Sequence, residues 1–234
     1  MVNDRWTQVR LPPNRLVRGV YLRFISLSLK ALARAGRPLP TKPPSFHYDV
    51  QTHEYATPDP APTRLWELCR GLGRSFGYNA QETAADTLTG TQLIHLLADV
   101  VAHGGNLLIN VGPDSAGRVP ELQQRPLREL GAWLDVNGEA IYATRPWTPA
   151  ATTTASGHQV RFTQREGVVY AIVLSDDVTD ALTIRDLTLP PGSRIGLLGG
   201  VADLAWTQTA GDVRVTPPQR LAGQQAHVLT ITTT

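Results

Sequence analysis

Hydrophobic positions change their period along this chain. From Thr91 to His103, Leu93, Leu96, Leu97, Val100 and Val101 recur at helical spacing. From Pro120 to Asp135 the same pattern returns in Leu122, Leu127, Leu130 and Leu134. Between the two, Leu107, Leu108, Ile109 and Val111 form a short apolar run broken only by Asn110, with Gly104-Gly105 before it and Gly112-Pro113 after it. An apolar run of that length between turn formers predicts a strand buried on both faces. Helix, buried strand, helix predicts one turn of an α/β layer or barrel, in a block that runs from Trp66 to Trp147.

Beyond residue 157 the period shortens. Val160–Thr163, Val168–Leu174, Leu182–Ile184, Arg194–Leu198, Val213–Val215 and Val228–Ile231 are short β-branched or alternating runs. Gly167, Pro190-Pro191-Gly192, Gly199-Gly200, Gly211 and Pro217-Pro218 punctuate them, which predicts an all-β antiparallel sandwich. Thr148–Gly157, rich in Thr, Ala and Pro, reads as the linker between the two parts. Near the N-terminus, Leu22, Ile25, Leu29 and Leu32 predict a basic amphipathic helix over Val20–Ala35, which Pro38, Pro40, Pro43 and Pro44 end.

Composition narrows the function classes. With 234 residues, 41% hydrophobic and 18% charged, the chain is long enough for a full domain plus a small one. A net charge of +2 is too small to argue for nucleic acid or a membrane surface as the partner. No apolar run reaches the roughly 20 residues of a membrane span, and no signal-peptide pattern opens the sequence. The single cysteine, Cys69, forms no intramolecular disulfide and reads as a small buried hydrophobe beside Trp66. The six histidines show no metal-ligand spacing, so no metal or other cofactor is expected.

Several words occur in a fixed order. They are Val2-Asn3-Asp4-Arg5-Trp6; Trp66-Glu67; Ser75-Phe76-Gly77-Tyr78-Asn79; Gly105-Asn106-Leu107-Leu108-Ile109-Asn110-Val111-Gly112-Pro113; Trp133-Leu134 with Asn137-Gly138-Glu139-Ala140-Ile141-Tyr142; and Thr144-Arg145-Pro146-Trp147. Together they resemble the α-L-fucosidases of glycoside hydrolase family 29. The resemblance implies the C-terminal part of a (β/α)8-like barrel over residues 1–147, followed by a β-sandwich over residues 158–234, with 148–157 joining them. Residues 8–46 fit no family word and read as an insertion.

The implied activity is retaining hydrolysis of terminal α-L-fucosyl linkages in glycans, which requires a nucleophilic carboxylate and an acid/base carboxyl. The resemblance places the Asp nucleophile upstream of this chain. Glu54, in Thr52-His53-Glu54-Tyr55, is the candidate acid/base, and Glu67 is the alternative or supporting carboxylate, with Asp49 a weaker third. Read without the resemblance, Glu54 is a solvated loop carboxylate and Glu67 pairs with Arg70 or Arg74 within helical reach. Arg5 matches a sugar-hydroxyl ligand and Phe76 an aromatic wall against the fucose methyl; the bland readings are a salt bridge and a core ring. Asn106 and Asn110 are expected to satisfy backbone groups, and Gly138 to cap the last helix in the αL conformation.

The implied partner is a fucosylated glycan or glycoside, with neither nucleic acid nor membrane. Self-association is the expected consequence of an open sheet. Family members are often secreted, periplasmic or lysosomal, and the residues themselves do not name a compartment. The alternative is a catalytically inactive remnant whose sandwich binds carbohydrate or a protein.

Overall fold

The computed structural model describes residues 49–58, 64–178, 181–200, 202–217 and 219–233, together with residues 23, 26, 27 and 30. Two compact units are present, Met1–Thr52 and His53–Thr234. In the first, positions 23, 26, 27 and 30 are helical and exposed; the rest of the expected Val20–Ala35 helix, and the other residues of the 8–46 stretch, lie outside the described residues. The unit boundary falls inside β1 (Gln51–Glu54).

The second unit opens with the end of β1, then β2 (Trp66–Gly71), α1 (Gly90–Ala102), β3 (Gly105–Asn110) and α2 (Glu121–Asn137). β2 and β3 are parallel, with Trp66 opposite Gly105 and Gly71 opposite Asn110. A parallel pair needs a crossover, and α1 supplies it. The helix begins where Thr89 and Gln92 form a capping box, each side chain taking the other's backbone N–H at 3.2 and 3.0 Å. It ends at Ala102, and Gly104, with φ of +78°, turns the chain back into β3. Val100 and Leu96 of α1 pack on Trp66, Leu68 and Leu107.

Two expectations change here. Trp66 opens a strand, so the spacing from Glu67 to Arg70 is that of a pleat and not of a helix turn. β3 is covered on one face only: Leu108 remains 49% exposed, on the face opposite α1.

The remainder is a sandwich. β4 (Arg145–Thr153), β5 (Gln159–Arg165), β6 (Val168–Leu174), β13 (His227–Thr232) and β9 (Arg194–Leu197) form one sheet in the order β4-β5-β6-β13-β9. Facing it are β10 (Ala205–Thr209), β11 (Asp212–Thr216) and β8 (Leu182–Ile184), and the pair β12 (Leu221–Ala222) and β7 (Asp177–Val178). The β5–β6 hairpin turns on Glu166-Gly167 and the β10–β11 hairpin on Ala210-Gly211, all four with positive φ, the geometry of tight two-residue turns.

Phe162, Ala171, Val173, Leu229 and Ile231 point into the core shared with Leu182, Val213 and Val215. The alternate residues Tyr170, Ile172 and Val228 point the other way and pack with Ile94 and Ala98 of α1 and Trp133 of α2. The five-stranded sheet is thus buried on both faces, and the helix layer is continuous with the sandwich.

The stretch 148–157 is not a linker. Residues 148–153 belong to β4, and Thr154 bridges Ile184. β4 is an edge strand, where proline costs no ladder bond, and its register with β5 shifts between Pro146 and Ala151. Gly138 is also not an αL cap: with φ −60° and ψ −23° it continues from α2 into a 3-10 turn, Gly138–Ala140.

Candidate active site

The pleat of β2 separates two roles. Trp66 and Leu68 face α1 and are buried, with the Trp66 Nε1–H donated to the His103 carbonyl at 3.1 Å. Glu67, Cys69 and Gly71 alternate to the opposite face. Glu67 stands in register with Asn106, and Cys69 with Leu108. The His53 ring meets Trp66 edge-on, with centroids 6.1 Å apart, so His53 lies on the α1 side. Glu54, next along β1, then falls on the same face as Glu67. It is exposed, and Glu67 is half-buried. Cys69 is buried as expected, though on the face away from the Trp66 indole.

Immediately after Glu54 the backbone takes an uncommon turn: Tyr55 has φ +58°, a left-handed conformation rare for a bulky residue. That turn is fixed at both ends of the residue. The Tyr55 N–H donates to the Cys69 carbonyl at 3.2 Å, and its hydroxyl oxygen accepts the Gly71 N–H at 3.3 Å. The Tyr55 ring lies T-shaped to Phe76, with centroids 5.1 Å apart and planes at 67°. The Arg70 guanidinium sits 5.3 Å from the Tyr55 ring centroid, and partial burial pulls its pKa below the usual arginine value.

Phe76 belongs to the loop between β2 and α1, which the Leu88 N–H closes onto the Leu72 carbonyl at 2.9 Å. Asn110, at the C-terminal end of β3, donates its side-chain amide to the Phe76 carbonyl and to the Val111 carbonyl at 3.1 Å. Asn110 thus satisfies backbone groups, as its setting in the sequence suggests, and one of them carries the aromatic wall. Asn106 is exposed. Glu82, which the sequence does not single out, takes the N–H groups of Arg74 and Ser75 on one carboxylate oxygen at 2.8 and 3.1 Å. The readable signal was the glycine spacing Gly71, Gly73, Gly77, which marks a loop with close backbone approaches.

The fold therefore gathers Glu54, Tyr55 and Phe76 at one end of the sheet, while Glu67 shares the sheet face of Glu54 from the start of β2. Arg74, read from sequence as a partner for Glu67, pairs instead with Asp86 at 3.0 Å. Arg5 lies outside the described residues, and Asp49 belongs to the first unit, where it is exposed. A cavity of about 350 Å³ lies elsewhere, between the start of α1 and α2, lined by Leu88, Gly90, Leu122 and Pro126. Among the described residues no group of three or more His, Cys, Asp or Glu could hold a metal ion, and no helix is long and apolar enough to cross a membrane.

A carboxyl group that ends a strand, with aromatic rings beside it, is equipment that glycoside hydrolases use. The family described as Alpha-L-fucosidase matches residues 39–139, and over that span the chain is similar to its members. The α-L-fucosidase of Branchiostoma floridae is 40% identical over 147 residues, covering 62% of this chain and 32% of that protein. The human tissue α-L-fucosidase is 32% identical over 151 residues, covering 64% of this chain and 32% of its own length. Among solved structures, the Thermotoga maritima α-fucosidase in complex with fucose superposes with a TM-score of 0.74 at 30% identity, covering 92% of this chain and 49% of that one. The chain spans about a third of the length of the curated relatives it matches.

Proposed function

We propose that this chain carries the acid/base side of a retaining α-L-fucosidase site, on the C-terminal part of a (β/α)8-like barrel. The observation that carries the reading is the shared sheet face of Glu54 and Glu67, ending at the Tyr55–Phe76 ring pair, in a chain similar to α-L-fucosidases. Glu54 donates a proton to the leaving glycosidic oxygen while a nucleophilic Asp, from sequence beyond these residues, attacks the anomeric carbon. Glu54 then takes a proton from the water that releases fucose. Phe76 presents an apolar wall to the sugar's methyl group. Glu67 supports the site from β2, on the same sheet face.

The test is hydrolysis of an aryl α-L-fucoside by the chain, beside Glu54→Gln and Glu67→Gln. The reading expects Glu54→Gln to lose most turnover of substrates with poor leaving groups and to regain part of it with azide. Unchanged turnover in Glu54→Gln, with loss in Glu67→Gln, would move the acid/base role to Glu67. A folded chain without turnover, alone or beside the remainder of a relative's barrel, would overturn the reading.

A further inference from the structure

The loop from Leu72 to Leu88 has no regular secondary structure, yet it is tied down at nearly every turn. Its ends meet through the Leu88 N–H to Leu72 carbonyl bond of 2.9 Å, and its root is joined to β3 by the Leu72 N–H to Asn110 carbonyl bond of 3.1 Å. The Glu82 carboxylate lies inside the curve. One of its oxygens accepts the Arg74 and Ser75 N–H groups, and the Ser75 hydroxyl lies 3.1 Å from the same atom. The chain passes so close that a Cβ on Gly73 would come within 2.3 Å of that carboxylate. A Cβ on Gly71 would meet the Ser75 carbonyl at 2.4 Å, and one on Gly112 would meet the Gly77 backbone at 2.6 Å. A second acid anchors the far side of the loop. Asp86 accepts the Thr83 N–H and hydroxyl at 3.0 and 2.8 Å and meets Arg74 at 3.0 Å; the Thr83 bonds hold its carboxyl below the usual aspartate range.

What this strapping holds is Phe76. The residues on which Glu82 acts, Arg74 and Ser75, immediately precede it, and Asn110 holds its carbonyl from β3. Compact loops with meeting ends and self-packed side chains are a recurrent way to present a functional side chain rigidly. Leu72–Leu88 is one, with a buttress made of charge.

We propose that Glu82 is a positioning residue: it fixes the Phe76 ring against Tyr55 before any sugar arrives and so sets the affinity for the fucosyl group. The inference rests on the reading of this face as a fucosidase pocket, but the strap itself is measurable without turnover.

The experiment compares the full chain with Glu82→Ala, Glu82→Gln and Phe76→Ala, using amide hydrogen exchange over residues 72–88 and steady-state hydrolysis of an aryl α-L-fucoside. Loss of bonds to a charged acceptor should speed exchange at Arg74 and Ser75 by about ten- to a hundredfold in Glu82→Ala. Glu82→Gln, which keeps an acceptor oxygen, should restore most of the protection. KM should rise in Glu82→Ala by about tenfold with kcat little changed, and adding Phe76→Ala to it should cost no more than Phe76→Ala alone. Unchanged exchange in Glu82→Ala overturns the proposal, as does faster exchange with an unchanged KM, or a double variant whose losses simply add. Faster exchange in a chain without turnover keeps the strap and sinks the fucosidase reading instead.

Discussion

Arg161 on β5 donates its Nε–H to the Asp99 carboxylate on α1 at 2.5 Å, so helix layer and sandwich are joined by charge as well as by apolar packing. Both side chains are largely buried, at 15% and 26% exposure. Breaking a pair in that setting leaves a charge without its partner, which costs more than the intact pair contributes. Arg161→Met should therefore lower stability by about 2–4 kcal/mol, while the double variant with Asp99→Asn should recover a sizeable part. Urea unfolding midpoints at constant m-value decide it; equal losses in the single and double variants would mean the contact contributes only packing.

Trp66 and Gly105 face each other across β2 and β3, and a Cβ on Gly105 would reach the indole at 2.5 Å. The indole has nowhere to go, since its N–H is committed to the His103 carbonyl and its ring is 1% exposed. Gly105→Ala should cost about 1–3 kcal/mol by overpacking. Gly131→Ala is the control, because nothing lies within 4 Å of a Cβ there and Gly131 is inside α2. It should be neutral or stabilising by up to about 1 kcal/mol. The thermal unfolding midpoint should therefore fall in Gly105→Ala and hold or rise in Gly131→Ala, and a loss in both would undo the argument.

How much of this was legible depended on whether a residue's neighbours in sequence were also its neighbours in space. The helices were readable within a residue or two because Leu93, Leu96, Leu97 and Val100, and then Leu127, Leu130 and Leu134, recur at the helical period, and β5, β6 and β13 because Val, Ile and Phe alternate there. β2 was misread because Glu67 and Arg70 also suit a helix surface, and only the opposed burial of Trp66 and Glu67 distinguishes a pleat. β4 was hidden by Pro146 and Pro149, which an edge strand tolerates. At the site, Glu54 and Phe76 were visible through the family words. Glu82 was not, since its role arises from a backbone fold that brings Gly73 and Ser75 onto it.

Tyr170 donates its hydroxyl to Glu139 Oε1 at 2.5 Å under the helix layer. Burial, with the carboxylate beside it, pushes its pKa from 10.0 up to about 12. The neutral phenol is the folded form, so its contribution is intact below pH 10 and is lost as pH rises toward 12. Tyr170→Phe should remove on the order of 2 kcal/mol of that alkaline sensitivity while costing about 1 kcal/mol at neutral pH through the lost hydrogen bond. Tyrosinate absorbance should show one residue ionising after the others in the wild type and not in the variant. A wild type whose tyrosines all ionise together would refute the assignment.

His227 opens β13 with 4% exposure, and its Nε2 is buried with no hydrogen-bond partner among the described residues. Desolvation lowers its pKa below 6.5, and the Asp176 carbonyl with the Asp176 and Asp177 charges only partly opposes this. The unfolded chain therefore binds a proton more readily than the folded one. Stability should be unaffected above about pH 7 and should fall as pH drops through the unfolded value near 6.5. His227→Gln keeps a donor for the Asp176 carbonyl but cannot titrate, so its stability should change less than the wild type's between pH 7.5 and 5.5. Urea midpoints at those two pH values give the slope for each protein. Parallel slopes would assign the acid loss to other groups, the Asp177–Arg220 pair beside it being the first to examine.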